Sequence, residues 1–255
     1  MTPPPMLSVA GLTKTIDGQH ILRGIDLQVG QGETLVIIGR SGSGKSVMLK
    51  HLIGLMSPTS GEVFIEGRQI VGLKERALLP IRKTVGMMFQ GCALFDAMTV
   101  EENVAFPLYE AGERNREAIR AKVAEALDVV DLTGHEQKLP VNLSGGMKKR
   151  VALARVVVAR PHCVLYDEPT AGLDPVVSDS INHLIRRLQK RFGVTSIVVT
   201  HDMKCAAHVA DKVAFLHEGA IYFYGAFTAL MASRDPLIQD FIEGRSGDTD
   251  SFSHG

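Results

Sequence analysis

The chain has 255 residues, 45% hydrophobic, 22% charged and 5% aromatic, with 28 basic against 28 acidic side chains and a formal net charge of +0. That length suits one large domain or two small ones around a sizeable core, and the apolar content excludes a disordered chain. Balanced charge argues against a nucleic-acid partner, and the start MTPPPM lacks the basic-then-apolar run of a secretory leader. No apolar run is long enough to cross a bilayer, and Cys92, Cys163 and Cys205 are too scattered for a disulfide or zinc framework, so a reducing, cytoplasmic setting is expected.

In chain order, residues 7–12 and 21–29 read as strands around the Asp17-Gly18 turn, and 62–65 as another after Ser60-Gly61. Residues 34–38 differ, being a nearly continuous apolar run ending at Gly39, as expected of a central strand buried on both faces. Residues 45–55 follow with a helical apolar pattern closed by Gly54 and Pro58. From about residue 91 to 160 long β runs are missing, and residues 114–130 and 146–158 read as helices. Strands return at 163–166 and 195–200, separated by a helix over about 175–191. This alternation predicts a predominantly parallel sheet with helical crossovers, into which the helical block is inserted. β-prone stretches at 212–216 and 220–224, a short helix and a polar tail over 244–255 finish the chain.

Three segments carry chemistry. Gly39-Arg40-Ser41-Gly42-Ser43-Gly44-Lys45-Ser46 fits G-x-x-x-x-G-K-[ST] between a buried strand and a helix. Glycines there let successive backbone N–H groups and the positive helix end face polyphosphate oxygens. Lys45 would reach the β- and γ-phosphates, and Ser46 would ligate Mg²⁺. Asp167 and Glu168 end another apolar strand, and in open α/β sheets ligands bind beyond the carboxyl ends of strands, so these acids and Lys45 can share a site. Asp167 would hold Mg²⁺, and Glu168 would orient and polarise the attacking water. Ser144-Gly145-Gly146 opens a helix and forms a second anion cradle, with Ser144 also a natural N-cap. One chain needs one γ-phosphate site, so a second cradle points to two copies sharing two nucleotides.

These ordered motifs resemble the nucleotide-binding subunit of ATP-binding cassette (ABC) transporters over residues 7–224. The resemblance implies an α/β P-loop NTPase (RecA-like) core with an N-terminal antiparallel β subdomain and an inserted α-helical subdomain at about 91–159, all within a domain over 1–243. It further implies ATP and Mg²⁺ as cofactors. Gln90, ending Met87-Met88-Phe89-Gln90, matches the glutamine that senses Mg²⁺ and attacking water. His201 matches the switch histidine that contacts the γ-phosphate, and Asp174, ending Ala171-Gly172-Leu173-Asp174, sits in a segment that resembles the family's loop spanning the dimer interface. Two positions depart from the family pattern. Ile16 stands where an aromatic residue often stacks on adenine, and Met147 replaces the common glutamine after Gly146.

Finer details resemble MlaF-type ATPases of intermembrane phospholipid transport. They include Val47-Met48-Leu49-Lys50-His51, Cys92-Ala93-Leu94-Phe95-Asp96-Ala97-Met98-Thr99-Val100 and Met147-Lys148-Lys149-Arg150. That resemblance implies an MlaE-like permease, an MCE-domain protein and room for a small regulatory subunit, with the ATPase peripheral on the cytoplasmic face of the inner membrane. Phe95, Met98, Val100 and Phe106 would divide between core packing and a groove for a permease helix. The apolar residues Leu237, Ile238, Phe241 and Ile242 sit at helical spacing and would dock on the partner ATPase or pack on their own domain. An ABC importer subunit for a small solute is the competing transport reading. A soluble non-transport ABC protein fits less well, since such proteins carry two cassettes or a long coiled-coil insertion.

Overall fold

The computed structural model describes residues 4–245, so the tail from residue 246 onward lies outside the described residues. Strands β1 (Leu7–Ile16) and β2 (Gln19–Val29) pair antiparallel around Asp17 and Gly18, which take positive φ values of 50° and 79°. With β4 (Ser60–Ile65) and β5 (Arg68–Gln69) they form a four-stranded sheet in the order β2-β1-β4-β5. The first strand runs four residues past the expected end at Leu12, because register shifts let it follow β2 to the turn.

The second sheet comprises β3 (Thr34–Ile38), β6 (Val85–Met88), β7 (Cys163–Asp167), β8 (Thr195–Thr200), β9 (Lys212–His217) and β10 (Ala220–Gly225). Its order is β10-β9-β3-β8-β7-β6, parallel throughout except for the edge strand β10. Every residue of β3, β7 and β8 is buried, which explains the dense apolar content of these strands. The two faces feed different cores. Leu35, Ile37, Leu165 and Val199 pack with the antiparallel sheet and with Met48 and Leu49, whereas Val36, Ile38, Val164 and Tyr166 pack with Val104, Leu127, Val151 and Leu184. Strand alternation thus assigns one face to each covering layer.

Helices α1 (Lys45–Leu52), α2 (Glu75–Thr84), α3 (Val100–Glu110), α4 (Arg116–Val129), α5 (Gly145–Val157), α6 (Pro175–Phe192), α7 (Met203–Val209), α8 (Phe227–Met231) and α9 (Pro236–Ile242) complete the fold. Between β6 and β7, α3, α4 and α5 pack on one another. Helices α2 and α3 went unread in the sequence, and each contains a proline, Pro80 and Pro107. A start signal for α3 was nevertheless present. Thr99 accepts from Glu102 N at 3.2 Å and Glu102 Oε2 accepts from Thr99 N at 2.7 Å, the reciprocal capping box of a T-x-x-E pattern. Helix α1 stops at Leu52, short of residue 55, and Gly54 follows with a left-handed φ of 66°.

Of the two readings of the last helix, its own domain holds it. Ile238 is buried, Leu237, Phe241 and Ile242 pack against the helical-side core, and the Phe241 ring lies 4.7 Å from that of Phe215. The apolar set after Gln90 divides between buried and exposed positions. Val100 is fully buried, whereas Phe95 is 41% exposed and packs at a tilt of 51° against Phe106, with ring centroids 4.7 Å apart.

Candidate functional site

The parallel strands bring the carboxyl ends of β3, β7 and β8 to one edge, where a cleft of about 720 Å³ opens. Ile16, Ser41, Gly42, Gly44, Lys45, Ser46, Gln90, Glu168 and His201 all line it. The loop from Gly39 to Gly44 turns sharply because Gly42 and Gly44 take φ values of 79° and 99°, open to glycine and costly for other residues. A Cβ on Gly44 would lie 3.0 Å from Leu22 and 3.1 Å from the Ile21 carbonyl, and one on Gly39 would lie 2.4 Å from the Leu216 carbonyl. The loop is therefore pressed against both sheets.

Lys45 opens α1 and folds back over the loop, donating to the Gly39 and Arg40 carbonyls at 2.8 and 2.9 Å. Two of its three N–H donors are thus used, and one remains. Burial pulls its pKa below the ordinary lysine value, against the opposing pull of Glu168 and Asp167. Ser46 donates to Asp167 Oδ1 at 2.8 Å, joining residues 121 positions apart. Ser43 Oγ is buried without a hydrogen-bond partner among the described residues.

Glu168 lies just beyond β7 with φ 47°, a left-handed conformation uncommon for a non-glycine residue, and its N–H donates to the Val199 carbonyl. Its Oε1 lies 3.0 Å from His201 Nδ1, while Oε2 is buried without a partner among the described residues. A buried carboxylate oxygen left unmatched is costly unless a ligand or water meets it. The side chains differ in access, with His201 66% exposed and Glu168 only 11%.

Ser144, Gly145, Gly146 and Asp174 do not line this cleft. Ser144 caps α5, accepting from Met147 N at 3.3 Å, and Asp174 caps α6, accepting from Val176 N and Val177 N at 3.0 Å each. A Cβ on Gly146 would stand 2.5 Å from Val177 Cγ1, and one on Gly145 would stand 3.3 Å from Leu173. The glycines that leave backbone open at the helix start also let α5 dock on the loop and first turn of α6.

Residues 22–171 match the family model described as ABC transporter. A probable ribonucleotide transport ATP-binding protein of Mycobacterium leprae is 38% identical over 94% of this chain and 69% of its own length. The methionine import ATP-binding protein MetN of Mesorhizobium japonicum is 45% identical over 92% of this chain and 62% of its own. Among solved structures, a post-hydrolysis ATP-binding cassette dimer bound to ADP and Pi superposes with a TM-score of 0.81 at 33% identity, covering 87% of this chain and 99% of that one. The chain belongs to the ABC transporter family. It is a transport ATPase cassette that hydrolyses ATP and binds it with Mg²⁺. The unmatched Oε2 of Glu168, the spare donor of Lys45 and the Ser46–Asp167 pair fit that ligand. Among the described residues no helix is long and apolar enough to cross a membrane.

The cassette also holds its site by contacts that sequence reading missed. Lys149, on α5 and only 4% exposed, donates to the Gln90 carbonyl at 2.6 Å and the Glu168 carbonyl at 3.3 Å. Burial lowers its pKa, with Cys92, Glu168 and Asp167 pulling the other way. Two turns along, Arg155 donates to the Cys92 and Ala93 carbonyls at 2.6 and 2.7 Å. Those two residues have φ values of 64° and 48°, a strained turn that Arg155 secures just after Gln90. The helix that opens at Ser144 therefore grips the backbone beside Gln90 and Glu168. In sequence, Lys149 reads only as one of three adjacent cations.

Proposed function

We propose that this cassette energises intermembrane phospholipid transport through a permease partner, working as a pair of copies that close on two nucleotides. ATP with Mg²⁺ supplies the phosphoryl group whose transfer to water releases the energy. Lys45 and the backbone N–H groups from Gly39 to Ser46 bind the polyphosphate, with Arg40, Ser41, Gly42, Ser43 and Gly44 shaping the cradle. Ser46, Asp167 and Gln90 hold the metal. Glu168 orients and polarises water, and His201, hydrogen-bonded to it, reports the state of the terminal phosphate. Ile16 gives the adenine an aliphatic contact without π-stacking. The observation that carries the ATP-hydrolysing part of this reading is the convergence of Lys45, Ser46, Gln90, Glu168 and His201 on one cleft from four separate stretches of chain.

Ser144, Gly145, Gly146 and Asp174, outside that cleft, serve the second copy and complete its site. Support comes from two ATP-binding cassette structures solved as dimers, both with a TM-score of 0.81. For the cargo, support comes from the MlaF-type segments around Gln90 and Ser144. It comes also from a chloroplast relative in Arabidopsis thaliana that bears a galactolipid's name, trigalactosyldiacylglycerol 3, and is 40% identical over 91% of this chain. Phe95 and Phe106 would meet an MlaE-like permease on the cytoplasmic face of the inner membrane, with an MCE-domain protein and a small regulatory subunit completing the assembly. Import of a small solute is the second reading, favoured by the 45% identity to MetN. Purification with native membrane partners followed by lipid analysis separates the two. Phospholipid should accompany the complex, and recovery of a periplasmic solute-binding protein without lipid overturns the phospholipid assignment.

A further inference from the structure

Asp179 and His183 lie one helical turn apart on α6, and His208 approaches them from α7. His183 Nε2 is 3.4 Å from Asp179 Oδ2, and His208 Nδ1 is 3.9 Å from Asp179 Oδ1. The two imidazoles meet edge to face with centroids 4.2 Å apart and His208 Nε2 3.2 Å from His183 Nδ1. One ligand atom from each residue can be chosen so that all three lie within 4.8 Å of one another. None of the three lines the nucleotide cleft. We propose that Asp179, His183 and His208 form a transition-metal site of the Zn²⁺ class that bridges α6 and α7.

The chemistry of the donor set decides the class of ion. Two imidazoles with one carboxylate suit Zn²⁺, Co²⁺ or Ni²⁺, whereas Mg²⁺ and Ca²⁺ take oxygen ligands. Bonds of about 2.0–2.1 Å in a tetrahedron place ligand atoms roughly 3.3–3.5 Å apart, so the one-atom-per-residue set, which lies within 4.8 Å, must draw together by side-chain rotation to hold the ion. Side-chain exposures of 62% for Asp179, 61% for His183 and 29% for His208 leave the fourth position open to water. The placement also matters. Helix α6 starts directly after Asp174, and α7 starts two residues after His201. A metal held between them would tie together the helices that follow those two loops.

The test is Zn²⁺ titration of the full-length chain by calorimetry, repeated with Co²⁺ for its absorption spectrum. Wild type should bind one equivalent, with a Co²⁺ spectrum of mixed nitrogen and oxygen ligation and a rise in Tm on metal addition. His183→Gln and His208→Gln should each weaken that binding at least about 10-fold and abolish the rise in Tm, while millimolar Mg²⁺ should not displace the ion. His201→Ala should leave it in place. Equal Zn²⁺ affinity and stoichiometry in wild type and both glutamine variants would overturn the site, as would displacement by Mg²⁺ or loss of binding in His201→Ala.

Discussion

The two anion cradles of this cassette have similar sequences, each a small-residue turn opening a helix, yet the chain treats them differently. The loop from Gly39 to Ser46 borders a cleft lined by a buried lysine, Glu168, a glutamine and a histidine, with Asp167 behind Ser46. At Ser144 to Gly146 the hydroxyl is spent on Met147 N and the glycines on contact with Leu173 and Val177. On the proposed function, the first cradle is a site within one chain. The second has the backbone geometry of a site without its charged groups, as expected of a half that a second copy completes. Similar local signals thus acquire different roles from what tertiary structure places opposite them.

Substitutions can break this contrast. Glu168→Gln should lower ATP turnover by about 10²–10⁴-fold while leaving nucleotide binding intact, because the neutral amide keeps the shape but cannot polarise water. Near-normal steady-state ATPase in that variant would remove Glu168 from the chemistry. Lys45→Ala should weaken nucleotide binding by roughly 10- to 100-fold, the worth of a charge-assisted hydrogen bond to phosphate. Unchanged affinity in calorimetry would make the first cradle no better than the second.

Gly146→Ala tests the other side. The new methyl meets Val177, so stability should fall by about 1–3 kcal/mol in denaturant unfolding, and ATPase should fall without loss of single-copy nucleotide affinity. Adding Val177→Ala should restore the stability, and an ATPase that stays low would then locate the remaining defect between copies.

The smallest effect belongs to Asp131→Asn. Partial burial works against the Asp131 carboxylate, but hydrogen bonds from Arg150 of α5 and Arg187 of α6 hold its pKa below the ordinary 3.8. The stabilisation is therefore present above that value and lost as pH falls through the depressed one. Asp131 is 54% exposed, so solvent screening keeps the loss in Asp131→Asn below about 1 kcal/mol, and acid-unfolding curves of the two proteins should converge at low pH.

Most of the α/β core was legible because it rests on local patterns. A run such as 34–38 can be almost wholly apolar only where both faces are covered, and a glycine-rich turn between such a strand and a helix has few uses other than phosphate. Helices α2 and α3 were lost behind Pro80 and Pro107, although the Thr99–Glu102 pair marked where α3 begins. For the last helix, periodicity revealed an apolar face but not what covers it, since docking on Phe215 and docking on another chain need the same residues.

By itself the chain of 255 residues determined the phosphate loop, the acidic strand end and the order in which the motifs follow one another, since each depends on backbone chemistry within a few residues. Tertiary structure alone decided that Lys149 grips the backbone at Gln90 and Glu168, that Gly146 must be small for Val177, and that Asp179 and His183 face His208. Each of those joins different helices, strands or loops, and which side chains meet there depends on how the elements pack, which no local pattern of residues encodes.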